Sequence, residues 1–285
     1  MAFATDDRNA WEIAYWNGPG GQRWLSRYAV HDALLAPIGD MLLERSATRA
    51  GESVLDIGCG CGTVTFELGR RVAPGGRVLG IDVSAPMLEQ ARRLAPDSLP
   101  VEFALADATV HDFERMGADL LFSRFGVMFF GDPARAFSNM RRGLRAGARV
   151  AFACWRAARQ NPWSMVPLQQ AYKHVPRLPE VGPEDPGPFS FADEGRVCSI
   201  LERAGFTSVE LEPIDLQLDL AAGGGLEAAV GTATTIGPAS RALDGQPAQL
   251  QAAAMESIRA ELARHQRGDS VPLAAAIWIV RAVNP

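Results

Sequence analysis

The sequence predicts an α/β fold in which helices cover a mostly parallel sheet. Short apolar segments that suit buried strands alternate with segments of helical periodicity over residues 51–155. A glycine-rich turn, Gly58-Cys59-Gly60-Cys61-Gly62, follows the first apolar segment. A strand, a glycine turn and a helix in this order form the first half of a mononucleotide-binding βαβ unit. The sequence therefore indicates a nucleotide-binding sheet.

The first strand is predicted at residues 54–57, immediately before this turn. Because glycine lacks a Cβ atom, the turn can be tight and a ligand can approach its backbone closely. A helix with one apolar stripe is predicted from Thr63, and Pro74-Gly75-Gly76 ends it. The glycine turn, whose backbone a ligand can approach, is therefore predicted to lie between a strand and a helix.

The second strand is predicted at residues 77–81 and runs directly into Asp82. An acid about 20 or more residues beyond the glycine turn lies where the ribose hydroxyls of a bound nucleoside are held. Ser84 and Pro86 then suit the N-cap and first-turn proline of the next helix. A solvated acid at a strand end is the alternative interpretation of Asp82, and its distance from the glycine turn favours ribose binding.

The segment Asp56-Ile57-Gly58-Cys59-Gly60 resembles D-x-G-x-G, the first motif of class I S-adenosylmethionine-dependent methyltransferases. The resemblance covers about residues 50–155 and is nearest to the ubiquinone/menaquinone-biosynthesis C-methyltransferase-like group. It implies a Rossmann-like seven-stranded sheet, mostly parallel with the last strand antiparallel, with helices on both faces and a helical or loop lid over the substrate. It also implies S-adenosyl-L-methionine as cofactor and S-adenosyl-L-homocysteine as product.

The resemblance assigns roles to residues at four successive strand ends. Asp56 would face the amino-acid end of the cofactor and Asp82 its ribose, while Asp107, after a strand at residues 101–105, would lie beside the adenine amine. Ser123-Arg124-Phe125, after a strand at residues 119–122, would lie over the reacting methyl group. The residues predicted to bind the cofactor are Asp56, Gly58, Cys59, Gly60, Asp82, Val83, Met87, Asp107, Ala108, Ser123, Phe125, Trp16 and Trp24.

The sequence shows no catalytic dyad, and in-line methyl transfer needs a general base only when the acceptor is poorly ionised. His31 is a candidate base, with a structural histidine as the alternative. Arg124 is a second candidate catalytic residue, and it would pair either with an acidic substrate or with a helix. The residues predicted to contact the substrate are Tyr15, Arg124, Met128, Trp155, Asn161 and Trp163.

Residues 1–50 are predicted to form an N-terminal helical cap rich in aromatic residues, with its helix at about residues 31–49. Aromatic faces attract a sulfonium cation, so we interpret this cap as a lid, with core packing as the alternative. The later segments are a cofactor-binding core at 51–155, a proline-rich substrate-recognition insertion without regular periodicity at 156–192, continued core at 193–220, a helical insertion at 221–270 and a final core strand at 271–285.

A helix is predicted to begin at Asp132-Pro133 and to end at Gly147. Arg141, Arg142 and Arg145 would then lie near the negative end of its dipole. The last three of seven strands are predicted at residues 149–155, 207–219 and 274–282.

The amino-acid composition limits the kinds of partner that we expect. The formal net charge is −5 and no basic stripe is visible, so nucleic acid is not an expected substrate. The four cysteines and four scattered histidines predict neither a disulfide framework nor a metal site. No apolar run approaches the length of a membrane span, and the default expectation is a cytoplasmic monomer or homodimer acting on a small molecule.

Two other functions remain open at this point. An NAD(P)-dependent Rossmann oxidoreductase would carry a third glycine where this chain has Thr63, and no Tyr-x-x-x-Lys pair is present. A non-catalytic protein that binds S-adenosylmethionine is the other alternative, because the chemistry leaves no mandatory acid or base. The acceptor atom stays open among oxygen, nitrogen, sulfur and carbon.

Overall fold

The computed structural model describes residues 3–114, 116–182 and 184–285. Within these residues the chain forms one seven-stranded sheet in the order β3-β2-β1-β4-β5-β7-β6. The first five strands pair in parallel, and β7 pairs antiparallel with both β5 and β6. The strands are β1 Ser53–Ile57, β2 Arg77–Asp82, β3 Val101–Leu105, β4 Ala118–Arg124, β5 Leu144–Trp155, β6 Thr207–Asp219 and β7 Pro272–Val283.

Helices pack around this sheet, which confirms the predicted α/β class with its last strand antiparallel beside the fifth. The helices are α1 Ala10–Asn17, α2 Pro19–Ser26, α3 Tyr28–Arg45, α4 Thr63–Val72, α5 Ala85–Leu94, α6 Pro133–Arg141, α7 Pro162–Ala171, α8 Glu194–Arg203, α9 Gly225–Ala233, α10 Gly237–Leu243 and α11 Ala248–Ala263.

The central strands are apolar on both faces because helices cover both faces of a parallel sheet. In β4, for example, Leu120, Leu121 and Phe122 are completely buried. The chain places β2 and β3 on one side of β1 and β4 on its other side, so the strand order reverses between β1 and β4. A crevice at the carboxyl ends of the strands beside such a reversal is where open α/β sheets bind ligands.

The helix predicted at residues 132–147 is shorter than expected. It ends at Arg141, and β5 already begins at Leu144. Gly147 therefore does not close the helix; it lies within β5 with φ 77°, and its N–H donates to the carbonyl of Asn284 at 2.8 Å. The prediction was wrong because the pairing partner of this segment lies at the distant C-terminal end of the described chain.

The three arginines near this boundary bind specific side chains. Arg141 donates from Nε to Oδ1 of Asn284 at 2.7 Å. Arg142 pairs with Glu114, and Arg145 pairs with Asp119. Arg141 lies in the last turn of α6 and Arg142 at its C-cap, but Arg145 lies in β5, so its predicted place near the helix dipole was wrong.

Four helices of the structure were not predicted individually. Helices α1 and α2 precede α3, which starts at Tyr28 and not at residue 31. Helix α7 lies inside the proline-rich segment, with Pro162 at its first position and Pro167 within it. Helix α10 is also additional, and it too carries a proline in its first turn. Proline suits the first turn of a helix, where its missing N–H would have no partner.

Asn161 connects α7 to the sheet and is completely buried. Its Nδ2 donates to the carbonyls of Arg156, Ala157 and Ala276 at 3.1–3.2 Å. Its Oδ1 accepts from the Ala276 N–H at 2.9 Å and from Nε1 of Trp163 at 3.3 Å. The amide therefore satisfies backbone groups of β7 while it fixes the start of α7.

Replacement of this amide should destabilise the protein. We expect Asn161→Ala to lower the free energy of unfolding by about 2–4 kcal/mol, because buried backbone groups lose their hydrogen-bond partners. Urea-induced unfolding measures the change. The exposed neighbour Arg159 offers a control, since Arg159→Ala should change stability by less than about 0.5 kcal/mol. Equal stabilities of the two variants would contradict this role.

Candidate active site

A cavity of about 270 Å³ lies at the carboxyl ends of β1, β2 and β4, beneath the N-terminal helices. Residues of α7, α10 and the loops at 188–189 and 235–236 complete its wall. The residues predicted from sequence that line it are Tyr15, Trp16, Trp24, Asp56, Gly58, Cys59, Gly60, Asp82, Val83, Met87, Asp107, Ala108, Arg124, Phe125, Met128, Trp155 and Trp163.

The glycine turn forms one side of this cavity. Gly58, Gly60 and Gly62 all have positive φ angles, of 69°, 55° and 85°, which residues with side chains rarely adopt. A Cβ atom on Gly58 would lie 2.6 Å from the Cα of Gly126, at the end of β4. The turn therefore needs glycine both for its backbone conformation and for its contact with the neighbouring strand end.

Asp82 connects this turn to the end of β2. Its carboxylate accepts from the Gly60 N–H and from the Ser84 N–H, both at 2.8 Å. Burial raises the pKa of Asp82, and the N–H donors oppose that increase. A carboxylate has about four acceptor positions, so Asp82 keeps the capacity to accept from ligand hydroxyls.

Asp56 lies deeper in the site and is almost completely buried. It accepts from Oγ1 of Thr65 at 2.6 Å. Burial raises the pKa of Asp56 to about 6, and the Thr65 hydrogen bond and the charge of Arg124 oppose the increase. The hydroxyl and the nearby guanidinium therefore offset only part of the unfavourable effect of burial on the charged carboxylate.

Arg124, at the end of β4, forms an ion pair with α3. Its Nη2 donates to Oδ1 of Asp32 at 2.7 Å, and both side chains are largely buried. Oδ2 of Asp32 accepts from Oγ1 of Thr63 at 2.5 Å. Of the two interpretations of Arg124, the structure thus shows the ion pair with a helix, at a position that also lines the cavity.

Phe125 adopts an unusual backbone conformation beside the glycine turn. Its φ angle is 67°, a left-handed conformation that costs a non-glycine residue of order 1–3 kcal/mol. Its N–H donates to the Ala153 carbonyl at 3.1 Å, and its ring stacks on Trp155 with centroids 4.2 Å apart. Trp163 continues this aromatic surface, 4.9 Å from Trp155. Strain of this kind is concentrated at functional sites.

Three residues predicted for the site lie outside the cavity lining. Ser123 is completely buried, and its Oγ donates to the Ile57 carbonyl at 2.7 Å, which joins β4 to β1. Asn161 uses its amide to hold α7, as described above. His31 is also completely buried, with Nε2 3.2 Å from Oγ1 of Thr235. Burial lowers the pKa of His31 to about 4, so it suits a structural role better than that of a base facing the cavity.

Helix α1 crosses the cavity and is held at both ends. Before its first turn, Nδ2 of Asn9 donates to both carboxylate oxygens of Asp107 at 2.9 Å. At its last residue, Asn17 donates from Nδ2 to the Val83 carbonyl at 2.8 Å and accepts from the Ala85 N–H at 3.0 Å. The two attachment points are the loops that carry Asp107 and Asp82.

Ser84 contributes to the second attachment. It stands at the N-cap position of α5, but its hydroxyl donates to the Trp16 carbonyl at 2.7 Å and does not cap the helix. The indole of Trp16 packs edge-on against Trp24 and Phe129, with centroids 6.3 and 5.6 Å apart. An aromatic surface therefore covers the strand ends.

Charged residues that the sequence analysis missed also line the cavity: Glu12, Arg23, Asp32 and Arg241. The Arg241 guanidinium lies over the rings of Trp11 and Tyr15, 5.0 and 5.4 Å from their centroids. Burial raises the pKa of Glu12 to about 7, and the charge of Arg241 opposes the increase. Glu12 lies one helical turn before Trp16, so helical spacing from that tryptophan was a signal that could have identified it.

The buried Glu12 should make stability depend on pH. Its folded-state pKa of about 7 lies above the ordinary 4.5, so between these pH values the folded chain binds more protons than the unfolded chain. Stability should therefore fall as pH rises through this window, by up to about 1 kcal/mol per pH unit from this group. Glu12→Gln removes that contribution.

Urea unfolding at a series of pH values measures this effect. The stability of Glu12→Gln relative to wild type should rise from pH 4.5 to pH 7 and then stay constant. Glu89→Gln, at an exposed position, serves as control and should follow the wild-type curve. Parallel curves for Glu12→Gln and wild type would refute the raised pKa.

No metal centre or membrane span is evident in the described ranges. Among these residues, no three His, Cys, Asp or Glu side chains are grouped so that they could hold a metal ion. None of the helices there has the length and apolar character required to cross a membrane.

Residues 54–147 match the family model of the methyltransferase domain. Nocamycin O-methyltransferase from Saccharothrix syringae is 30% identical over 192 residues, which cover 64% of this chain and 69% of that protein. The ubiquinone/menaquinone biosynthesis C-methyltransferase UbiE from Hahella chejuensis is 35% identical over 111 residues, which cover 38% of this chain and 45% of that one.

A comparison of folds also finds a methyltransferase. Phosphoethanolamine N-methyltransferase 2 from Haemonchus contortus, solved in complex with S-adenosyl-L-methionine, has a TM-score of 0.57 and 16% identity, covering 99% of this chain and 61% of that chain. The chain spans only 38–54% of the length of three curated relatives that it matches, UbiE among them. The glycine turn, the strand-end acids and the match to the O-methyltransferase together show that this chain belongs to the class I S-adenosylmethionine-dependent methyltransferases.

Proposed function

We propose that the protein transfers the methyl group of S-adenosylmethionine to a small-molecule acceptor. The observation that carries the proposal is the convergence of Asp56, Asp82, Asp107 and Phe125, from four strand ends, on one cavity. Family membership supports it, since the 30%-identical relative is named as an O-methyltransferase.

The residues present fit an adenosyl cofactor. The glycine turn leaves its backbone open, and Asp82, 2.8 Å from the Gly60 N–H, retains acceptor capacity for ribose hydroxyls. Val83 and Met87 line the cavity beside Asp82. Asp56, with the Arg124–Asp32 ion pair near it, offers charged groups of both signs for the amino-acid end. The charge pattern thus suits a zwitterion at one end and a nucleoside at the other.

The protein's own contribution to transfer is positioning and exclusion of water. When bound, S-adenosylmethionine supplies an electrophilic methyl group for in-line displacement. Trp16, Trp24 and Phe129 cover the site, and aromatic faces attract a cation such as a sulfonium. Holding an acceptor in line with the methyl group can supply several kcal/mol of the rate acceleration. We propose that α1 to α3 act as the lid that keeps water out during transfer.

The wall beyond Phe125 supports a flat, largely apolar acceptor. Phe125, Trp155 and Trp163 form a continuous aromatic surface with centroids 4.2 and 4.9 Å apart. Phe189, Ile236 and Pro238 also line the cavity. Aromatic walls of this kind bury planar ligands and leave orientation to a few polar groups.

Methyl transfer can be measured directly. Protein incubated with methyl-labelled S-adenosylmethionine and a metabolite extract should pass the label to a small molecule and release S-adenosylhomocysteine. Asp82→Ala should weaken S-adenosylhomocysteine binding about tenfold or more, because the ribose hydroxyls lose a charged acceptor. Trp163→Ala should retain that affinity but slow the transfer. Calorimetry and labelled product report the two effects separately.

Asp97, an exposed aspartate, provides the matched control, and Asp97→Ala should alter neither quantity. Tight S-adenosylhomocysteine binding without any labelled product would indicate a binding protein and would refute the enzymatic proposal. An Asp82→Ala affinity within twofold of wild type would refute the ribose role.

A further inference from the structure

The arginines that line the cavity differ in their partners. Arg124 forms the ion pair with Asp32, and Nη1 of Arg23 lies 3.3 Å from the Asp244 carboxylate. Arg241 also lines the cavity and is only partly exposed. Within the part of the chain that the structure describes, no carboxylate pairs with Arg241 and no acceptor takes a hydrogen bond from its guanidinium. This group therefore keeps its five N–H donors for another molecule.

Two stacked rings of α1 hold the Arg241 guanidinium in place. Trp11 and Tyr15 lie one helical turn apart, with ring centroids separated by 5.2 Å and planes inclined by 8°. The Cζ atom of Arg241 lies 5.0 Å and 5.4 Å from the two centroids, a range in which an aromatic face attracts a cation. Ring faces supply no oxygen acceptor, so the planar fork of N–H groups stays available for a carboxylate.

Arg241 lies on the side of the cavity that we propose for the acceptor. It belongs to α10, one helical turn after Gly237, and α10 packs on α7. A Cβ atom on Gly237 would lie 3.6 Å from Cβ of Ser164, the residue that follows Trp163. Helix α10 therefore lies beside the aromatic surface. The amino-acid end of the cofactor has other charged groups, near Asp56, and does not require this guanidinium.

Glu12 is an acid whose charge interacts with Arg241. Burial raises the pKa of Glu12 to about 7, so this carboxyl group is only partly ionised at neutral pH. It therefore offsets only part of the Arg241 charge. The cavity thus offers a positive group beside an aromatic wall.

We propose that Arg241 binds a carboxylate of the acceptor, which makes the substrate class a planar aromatic acid. This inference rests on the proposed methyl transfer and adds a substrate class to it. The ring system of the acceptor lies on Phe125, Trp155 and Trp163, while the guanidinium donates to both oxygens of its carboxylate. A contact through two parallel hydrogen bonds fixes the orientation of the acceptor and also adds affinity.

Two probes of the same shape test the proposal by calorimetry on the protein saturated with S-adenosylhomocysteine. They are 2-naphthoate and its neutral analogue 2-naphthamide. The wild-type protein should bind 2-naphthoate about tenfold or more tightly than 2-naphthamide, because only the carboxylate forms a charge-assisted pair with the guanidinium. Equal affinities for the two probes would overturn the proposal, and this comparison requires no variant.

Two variants assign the preference to Arg241. Arg241→Met removes the charge but keeps an apolar stem, so the ratio of the two affinities should fall to about one. Arg241→Lys keeps the charge without the fork and should retain a preference of about threefold. Arg264→Met is the matched control and should keep the wild-type ratio, because the Arg264 side chain is 76% exposed and lies outside the cavity lining. A wild-type ratio in Arg241→Met would refute the role of Arg241.

The affinity for S-adenosylhomocysteine separates this inference from the proposed function. It should stay within about twofold of wild type in Arg241→Met, since Arg241 serves the acceptor. A loss of about tenfold would assign Arg241 to the cofactor carboxylate and overturn the inference alone. Binding of S-adenosylhomocysteine without binding of either probe would overturn the substrate class alone. Absence of S-adenosylhomocysteine binding would overturn the proposed function and, with it, this inference.

Discussion

The contact between the glycine turn and the end of β4 is the constraint on which the site depends. A Cβ on Gly58 would lie 2.6 Å from the Cα of Gly126, and one on Gly126 would clash with the Ile57 carbonyl. Two backbones therefore meet where the strand order reverses, and the Ser123 hydroxyl fixes their spacing by donating to Ile57. Phe125, between these points, takes a left-handed conformation and presents its ring to Trp155. Close packing of the backbone at Gly58 and Gly126 thus shapes this side of the cavity and orients the Phe125 ring towards Trp155.

Hydrogen bonds attach the N-terminal helix α1 to the loops at the strand ends. Helix α1 attaches to the Asp107 loop through Asn9 and to the Asp82 loop through Asn17. The two acids that the family pattern assigns to the nucleoside thus also lie where α1 is attached. On the proposal that α1 to α3 form a lid, cofactor binding and closure of the site would be coupled, because both would depend on the same two loops. The aromatic surface would then exclude water during methyl transfer.

The sheet and the strand-end acids could be predicted because they depend on local patterns. Residues 54–62 specify a strand and its glycine turn in continuous sequence, and Asp82 follows at the expected distance. Partners distant in the chain could not be predicted in the same way. Gly147 was predicted to end a helix because its true partner, Asn284, lies far away in the sequence. Asn161 was predicted to contact the substrate, but its amide binds the backbone of β7. A polar side chain near a strand end carries no local sign of whether a ligand or a distant backbone group uses it.

A crystal structure of the protein with S-adenosyl-L-homocysteine would test the central claim most directly, namely that these strand ends form one cradle for an adenosyl cofactor. The account predicts electron density for the ligand within the cavity, its ribose hydroxyls within hydrogen-bonding distance of the Asp82 carboxylate, its sulfur near Phe125 and its purine beside Ala108. Density outside this cavity, or a ribose that makes no contact with Asp82, would contradict the account.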